Sequence, residues 1–391
     1  MSALPHLAHV PMPLAGDGSS VAHVVRALTH EHARRGGRST VVTSHNREAT
    51  YPDATMLPVD YTENCPRTHF TTAEYRQDWA LGALLVERPH AARLFEPAAR
   101  ALAATAPDWV IVHEGHYAVT SLPLFRRMLP PRTRIALHLH NAISGSVLRP
   151  ELTHLLRAAD ALVSVSAFMA EGVRRRAWFD EAKLITVPNG VDLERFPAVE
   201  REPRPQGAPL RLLFVGQVAP HKGVHLLLGA LAAMGRHAEH LETRIVGSSE
   251  LRESESLSDY ERELRAIATS VRGSVTFEPY RSQAGVSELY RWADVVAVPS
   301  QAEPFGMVPL EAMASGALVL GNHSGALPEV LGQAGRLVEP TVAGWVDALT
   351  TLSRAQVEGA RSAASARGRS FTWERSHTAL LEGLQRLDAT G

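Results

Sequence analysis

Two carboxylates with seven residues between them, Glu303 and Glu311, lie in the stretch PSQAEPFGMVPLEAMASG, residues 299–316. Ionised carboxylates accept hydrogen bonds from neighbouring hydroxyls, so a pair of them suits a sugar or a ribose diol. Between them stands Phe305-Gly306-Met307. A helix starting there would aim its first backbone amides outward, as an anion site, and Gly306 would let a ligand approach closely. Glu303 taken alone also fits the plain preference for a negative charge near a helix start. The combination of two acids, a glycine and an amide-lined helix start favours a ligand that carries both hydroxyls and phosphate.

The elements needed to place these residues are present in the sequence. Residues 293–298, with Asp294 their one polar member, form an apolar, β-branched run that reads as a buried strand. Residues 300–304 read as a turn, and a helix is expected over 306–314. Pro309 is tolerable only in its first turn, where the missing N–H breaks no bond. Gly316 is a natural stop, and residues 317–320 read as the next buried strand. A strand, loop and helix in series at the carboxyl edge of a parallel sheet is a ligand-binding arrangement. An earlier unit of the same kind has a strand over 210–215, the loop GQVAPHKG over 216–223 and an apolar helix over 224–234. Its Lys222 is one of only two lysines, with Lys183, among 40 basic residues. Where arginine fills nearly every basic position, a retained lysine suggests a need for a compact point charge.

The stretch EPFGMVPLEAMASG resembles the signature of the family 4 retaining glycosyltransferases, which have the GT-B fold. That resemblance implies an α/β protein with two Rossmann-like doubly wound domains facing across a cleft. It implies a nucleoside diphosphate sugar as donor, UDP by family habit, with a diphosphate gripped by Lys222 and by the amides of Phe305, Gly306 and Met307. Glu311 would hold the ribose, and Glu303 the donor sugar. Tyr280 or Arg281 would lie against the base. In relatives the first loop of the donor domain carries an arginine as well as the lysine; here Gln217 stands in its place, which removes one positive charge. On the acceptor side the resemblance points to Gly16 and Gly18, which would bring backbone close to the donor phosphate or the acceptor, and to His116, with His113, His140 and Asn141 as further contacts. Glu303, His116 and Lys222 are the residues expected to act in the transfer itself. The runs PNGVD at 188–192 and NHSGALPE at 322–329 also resemble the family, the second with Ser324 where a glycine is usual.

Composition bounds the alternatives. A chain of 391 residues is too long for one ordinary core and suggests two domains. A net charge of −1 gives no footprint for nucleic acid. A single cysteine, Cys65, rules out an internal disulfide and, with no basic leader at the N-terminus, points to a reducing, cytoplasmic setting. No apolar run approaches the ~20 residues that a membrane span needs. Thirteen of the 19 histidines fall in the first 154 residues. His30/His32 and His138/His140 are not spaced for a closed metal site, no cysteine accompanies them, and there is no Asp-x-Asp motif. No metal and no cofactor beyond the donor co-substrate are therefore expected.

Strand and helix alternate twice along the chain, which favours domains over 1–195 and 205–370, with 371–391 as a helix returning to the first domain. Residues 46–76 read as irregular, and 80–104 as one helix. A dinucleotide site at 16–20 is disfavoured because the third glycine of its pattern is Val21. An epimerase on the same fold would need an acid and a base placed for proton abstraction. A pyridoxal-phosphate phosphorylase would need a further lysine. The alternative from another class is a non-catalytic nucleotide-sugar-binding or scaffold homologue, for which Gln217 speaks.

Overall fold

The computed structural model describes residues 4–11, 19–44, 50–61, 71–113, 116–143, 145–198, 204–205, 207–250 and 256–390. The chain divides into two units, Met1–Pro188 with Trp373–Gly391, and Asn189–Thr372.

The first unit is built on strands β1 (Leu7–Val10), β2 (Ser39–Ser44), β3 (Thr55–Val59), β4 (Trp109–His113), β5 (Arg134–Leu139), β6 (Ala161–Ser164) and β7 (Leu184–Thr186). They form one sheet in the order β3-β2-β1-β4-β5-β6-β7, every pair parallel. The chain first winds one way and then the other, so the switch in direction lies between β1 and β4. Near-continuous apolar sequence suits strands covered on both faces, and β1, β4 and β6 are buried throughout. Ser19 caps the helix Ser20–Arg34, its hydroxyl accepting from the Val21 amide. That helix sets Val21 and Val25 against Val41 of β2 and Tyr51.

Two departures from expectation have local causes. The stretch read as irregular contains β3, an edge strand in which Pro58 is tolerable because one side carries no ladder bonds. The long helix expected over 80–104 is two, Thr72–Ala83 and Pro89–Thr105. Leu85 takes a left-handed conformation (φ +61°) and Pro89 opens the second helix, so the pattern cannot run through.

The helix Trp373–Thr390 belongs to the first unit, although it follows all of the second. Ser376 Oγ donates to the Pro188 carbonyl at 2.6 Å, and the Trp373 ring meets His23 edge-on at 5.6 Å. His377 Nε2 lies 2.9 Å from His32 Nδ1, and burial, reinforced by the charge environment, holds the His377 pKa down at about 3.

The second unit has β8 (Leu210–Val215), β9 (Leu241–Val246), β10 (Ser274–Glu278), β11 (Val295–Val298), β12 (Leu318–Asn322) and β13 (Arg336–Val338). The sheet order is β10-β9-β8-β11-β12-β13, again all parallel. Its core gathers Leu212 and Phe214 of β8, Ala297 of β11 and Trp345. Residues 189–198 belong here, and Phe196 packs edge-on against Tyr290 at 5.7 Å. The foot of β11 is fixed by Asp294, only 2% exposed, which accepts from Arg361 at 2.8 Å, Arg204 at 3.2 Å and the Arg211 amide at 3.0 Å. Three donors on one buried carboxylate satisfy it and hold the strand in register.

Candidate active site

The direction of winding in the second sheet reverses between β8 and β11, and the loops after these two strands carry the residues singled out above. The β8 loop, residues 216–223, ends in Lys222 within a short 3-10 turn, Pro220–Lys222. The β11 loop runs to the helix Met307–Ala314, whose N-cap is Gly306 at φ +104°. Glycine reaches that conformation without the strain any other residue would bear. Pro309 is the third residue of this helix, inside the first turn as required. The two loops are tied by the Gln301 amide donating to the His221 carbonyl at 2.9 Å. They are tied again by an ion pair, Lys222 Nζ to Glu303 Oε2 at 2.9 Å.

Residues after β12 brace the second loop. Asn322, fully buried, donates through Nδ2 to the carbonyls of Pro299 (2.6 Å) and Ser300 (3.1 Å), while its Oδ1 accepts from Trp345 at 2.8 Å. Ser324 Oγ donates to the Ser300 carbonyl at 2.8 Å, and the Ala326 amide to the Glu303 carbonyl at 2.8 Å. Gly325 sits at φ +59°, and a Cβ there would lie 2.4 Å from the Glu303 carbonyl oxygen. The NHSGALPE run thus clamps the backbone that presents Glu303.

Glu311 is on the buried side of its helix, 7% exposed, and Tyr290 donates a hydrogen bond to its Oε2 at 3.0 Å. Burial lifts the carboxyl pKa to about 7, against the pull of the Tyr290 bond and the Arg195 charge, and Asp192 adds to the rise. A buried carboxylate gains from a diol that donates to it. Tyr290 is the partner that sequence reasoning missed. Only its place in the apolar pattern of the helix Gln283–Trp292 marked it, as a core residue.

The remaining donor-side candidates are spread more widely. Gln217 is half-buried and donates through Nε2 to the Ser249 carbonyl at 2.8 Å. Phe305 is buried, its ring edge-on to Phe371 at 6.0 Å, so only its backbone is available to a ligand. Met307 is the first helical residue and is half-buried. Tyr280 and Arg281 follow β10, the edge strand, two places from β8. Arg281 is exposed and pairs with Glu278 at 3.3 Å.

On the first unit, Gly16, Gly18 and the side chain of His116 lie outside the described residues; His116 opens the helix His116–Met128. Asn141 is exposed just past β5. His113 corrects an expectation. It is wholly buried, and its nitrogens face His9 Nδ1 at 2.9 Å and His140 Nε2 at 3.0 Å, so it presents nothing to an acceptor. His140 is 8% exposed, and burial takes its pKa down to about 3.

Residues 21–195 match the sequence model of Glycosyltransferase Family 4, and residues 209–355 that of Glycosyl transferases group 1. The chain belongs to glycosyltransferase family 4. Among curated family relatives, the D-inositol 3-phosphate glycosyltransferase of Actinosynnema mirum is 34% identical over 242 residues, 57% of this chain and 56% of the relative. The chain spans about half the length of the curated relatives it matches. Among solved structures, sucrose-phosphate synthase from Thermosynechococcus elongatus superposes with a TM-score of 0.73 at 20% identity, over 99% of this chain and 100% of that one. Anabaena HepE, in complex with UDP and glucose, gives 0.69 at 18% identity, over 97% and 99%. These likenesses establish the GT-B fold for this family member. Among the described residues no helix is long and apolar enough to cross a membrane.

Proposed function

We propose that this family 4 protein transfers a sugar from a nucleoside diphosphate sugar to a hydroxylated acceptor with retention of configuration. The observation that carries the proposal is the Lys222–Glu303 pair, 2.9 Å apart at the switch point of the second sheet, with Glu311 on the adjoining helix. Cleaving the anomeric C–O bond leaves an oxocarbenium-like sugar and a diphosphate. Charge stabilisation is most effective on that diphosphate. Lys222 supplies a cation, and the first-turn amides of the helix Met307–Ala314 supply donors that have no acceptor within the helix. Glu303, released by Lys222 when the diphosphate arrives, accepts from donor-sugar hydroxyls and offsets positive charge at the anomeric carbon. Glu311 accepts from the ribose diol. Tyr280 and Arg281 are assigned to the base, and His116 and Asn141 to the acceptor. The transfer calls for no cofactor besides the co-substrate, and the single cysteine supports a reducing, cytoplasmic setting.

UDP is the proposed nucleotide. HepE, which shares the fold, was solved with UDP and glucose. The test is thermal stabilisation by UDP, GDP, ADP and dTDP of wild type beside Lys222→Ala and Glu311→Ala. A ligand at about a hundredfold over its Kd stabilises by about 3 kcal/mol. One nucleotide should shift the wild type, and both variants should lose the shift. A second reading, a nucleotide-sugar-binding protein without turnover, is favoured only by Gln217, whose amide is spent on Ser249 and carries no charge. Turnover with the stabilising nucleotide's sugars, followed by NMR of the product anomer, separates the two.

A further inference from the structure

Four histidines of the first unit share one face of its sheet at the carboxyl ends of neighbouring strands. His113 of β4 stands directly opposite His138 of β5 in register. His140 follows His138 by two residues, the strand period, and so falls on the same side. His9 of β1 pairs with Ile111, two residues before His113. No spacing along the chain reveals this, because the strands are joined only by the register of the sheet. All four rings are buried. Their centroids crowd together, His138 to His140 at 4.1 Å and His113 to His138 at 5.1 Å.

Hydrogen bonding within the group is incomplete in a specific place. His138 is 0% exposed and, among the described residues, neither of its ring nitrogens has a partner. A buried imidazole with both nitrogens unsatisfied is costly and calls for an occupant. His113, His138 and His140 each bring one ring nitrogen within 4.8 Å of the other two. His113 Nδ1 and His140 Nε2 are 3.0 Å apart. Nitrogens around a tetrahedral zinc-type ion, at bond lengths of about 2.0–2.1 Å, are about 3.3 Å from one another. Neutral imidazole is the form in which histidine binds a metal ion.

We propose that His113, His138 and His140 bind one divalent transition-metal ion that prefers imidazole, zinc foremost, and that His9 orients the site from behind. Only neutral nitrogen ligands are offered, which selects ions of the zinc, cobalt, nickel and copper group over magnesium or calcium. His113 would coordinate through Nδ1, while its Nε2–H donates to His9 Nδ1, 2.9 Å away. That bond fixes tautomer and ring plane, as hydrogen bonds behind metal-binding histidines commonly do. Three neutral ligands leave two positive charges uncompensated in a buried place, and a hydroxide in the fourth position, formed by a water that gives its proton to solvent, would offset one of them. The ion would join the carboxyl ends of β4 and β5.

The test uses the full chain, free of any affinity tag, stripped with EDTA, returned to chelator-free buffer and titrated with Co²⁺ and then Zn²⁺. One equivalent of Co²⁺ should give the intense visible bands of a four-coordinate ion, and one equivalent of Zn²⁺ should abolish them. His138→Gln should bind Co²⁺ at least a hundredfold more weakly. His30→Ala, which removes an exposed imidazole paired to Asp53, should bind as wild type does. His9→Leu should weaken binding about ten- to a hundredfold without changing the spectrum; unchanged affinity would strike His9 from the site. Should His138→Gln fail to fold, the wild-type spectrum decides: weak six-coordinate bands, or no saturable binding, overturn the proposal. Undiminished binding by folded His138→Gln overturns it equally.

Discussion

Lys222 Nζ and Glu303 Oε2, 81 residues apart in sequence, meet at 2.9 Å and join the loops after β8 and β11. The cation is therefore already neutralised before a diphosphate arrives, and the two anions compete for it.

That competition gives opposite expectations for the two partners. Lys222→Ala should weaken nucleoside diphosphate binding and lower transfer by about 10²- to 10³-fold, the cost of removing one charge stabiliser. Glu303→Gln should leave nucleoside diphosphate binding equal or several-fold tighter, because Lys222 is released, while transfer still falls by about a hundredfold. Calorimetry with the nucleotide, run beside initial rates, checks both. Parallel loss of binding in the two variants would show that Glu303 merely supports the fold of the loop.

Gln217 can be given the charge it lacks. Its amide donates to the Ser249 carbonyl at 2.8 Å, so an arginine there starts from a half-buried position on the β8 loop. Charge-assisted hydrogen bonds to a diphosphate exceed neutral ones, and Gln217→Arg should tighten nucleoside diphosphate binding about five- to tenfold. A competition assay with nucleoside against nucleoside diphosphate reads the effect, since only the latter should gain.

Glu311 makes stability depend on pH in a definite direction. Its carboxyl titrates at about 7 in the fold and near the ordinary carboxylate value when unfolded. Between those values the folded state holds a proton that the unfolded state has released. Stability contributed there falls as pH rises and levels off above pH 7, by on the order of 3 kcal/mol in all. Glu311→Gln should flatten this slope in denaturant titrations from pH 5 to pH 8. Nucleotide binding should run the other way, strengthening toward pH 8 as the carboxylate forms, and the variant should lose that dependence.

Gly325 tests the clamp on the Glu303 loop. A methyl group there would sit 2.4 Å from the Glu303 carbonyl oxygen and 2.5 Å from its nitrogen, in a backbone conformation that alanine resists. Gly325→Ala should cost about 1–3 kcal/mol of stability. It should lower transfer by more than tenfold, because a small misplacement of a positioning group is expensive in rate. Thermal melts and steady-state rates on one preparation separate the two losses.

The strand, loop and helix around Glu303 and Glu311 were legible because each local signal agreed: a buried β-branched run, a turn, a proline confined to the first helical turn and a stopping glycine. β3 was not legible, since an edge strand with exposed Met56 and a proline lacks a buried pattern. The break between the helices Thr72–Ala83 and Pro89–Thr105 depends on the left-handed Leu85, which helix propensity alone does not foresee. Tyr290 beneath Glu311 and the grouping of His9, His113, His138 and His140 are relations between elements distant in sequence. They follow from sheet order and register, which one sequence does not state.

The helix Trp373–Thr390 completes a unit whose other residues end at Pro188. During synthesis the second unit emerges from the ribosome before that helix does, so it can fold while the first still lacks a piece. Until then the surface that takes His377 beside His32, and Trp373 against His23, stays uncovered. The first unit is begun first and finished last, and its nascent form is where chaperone binding and degradation should concentrate.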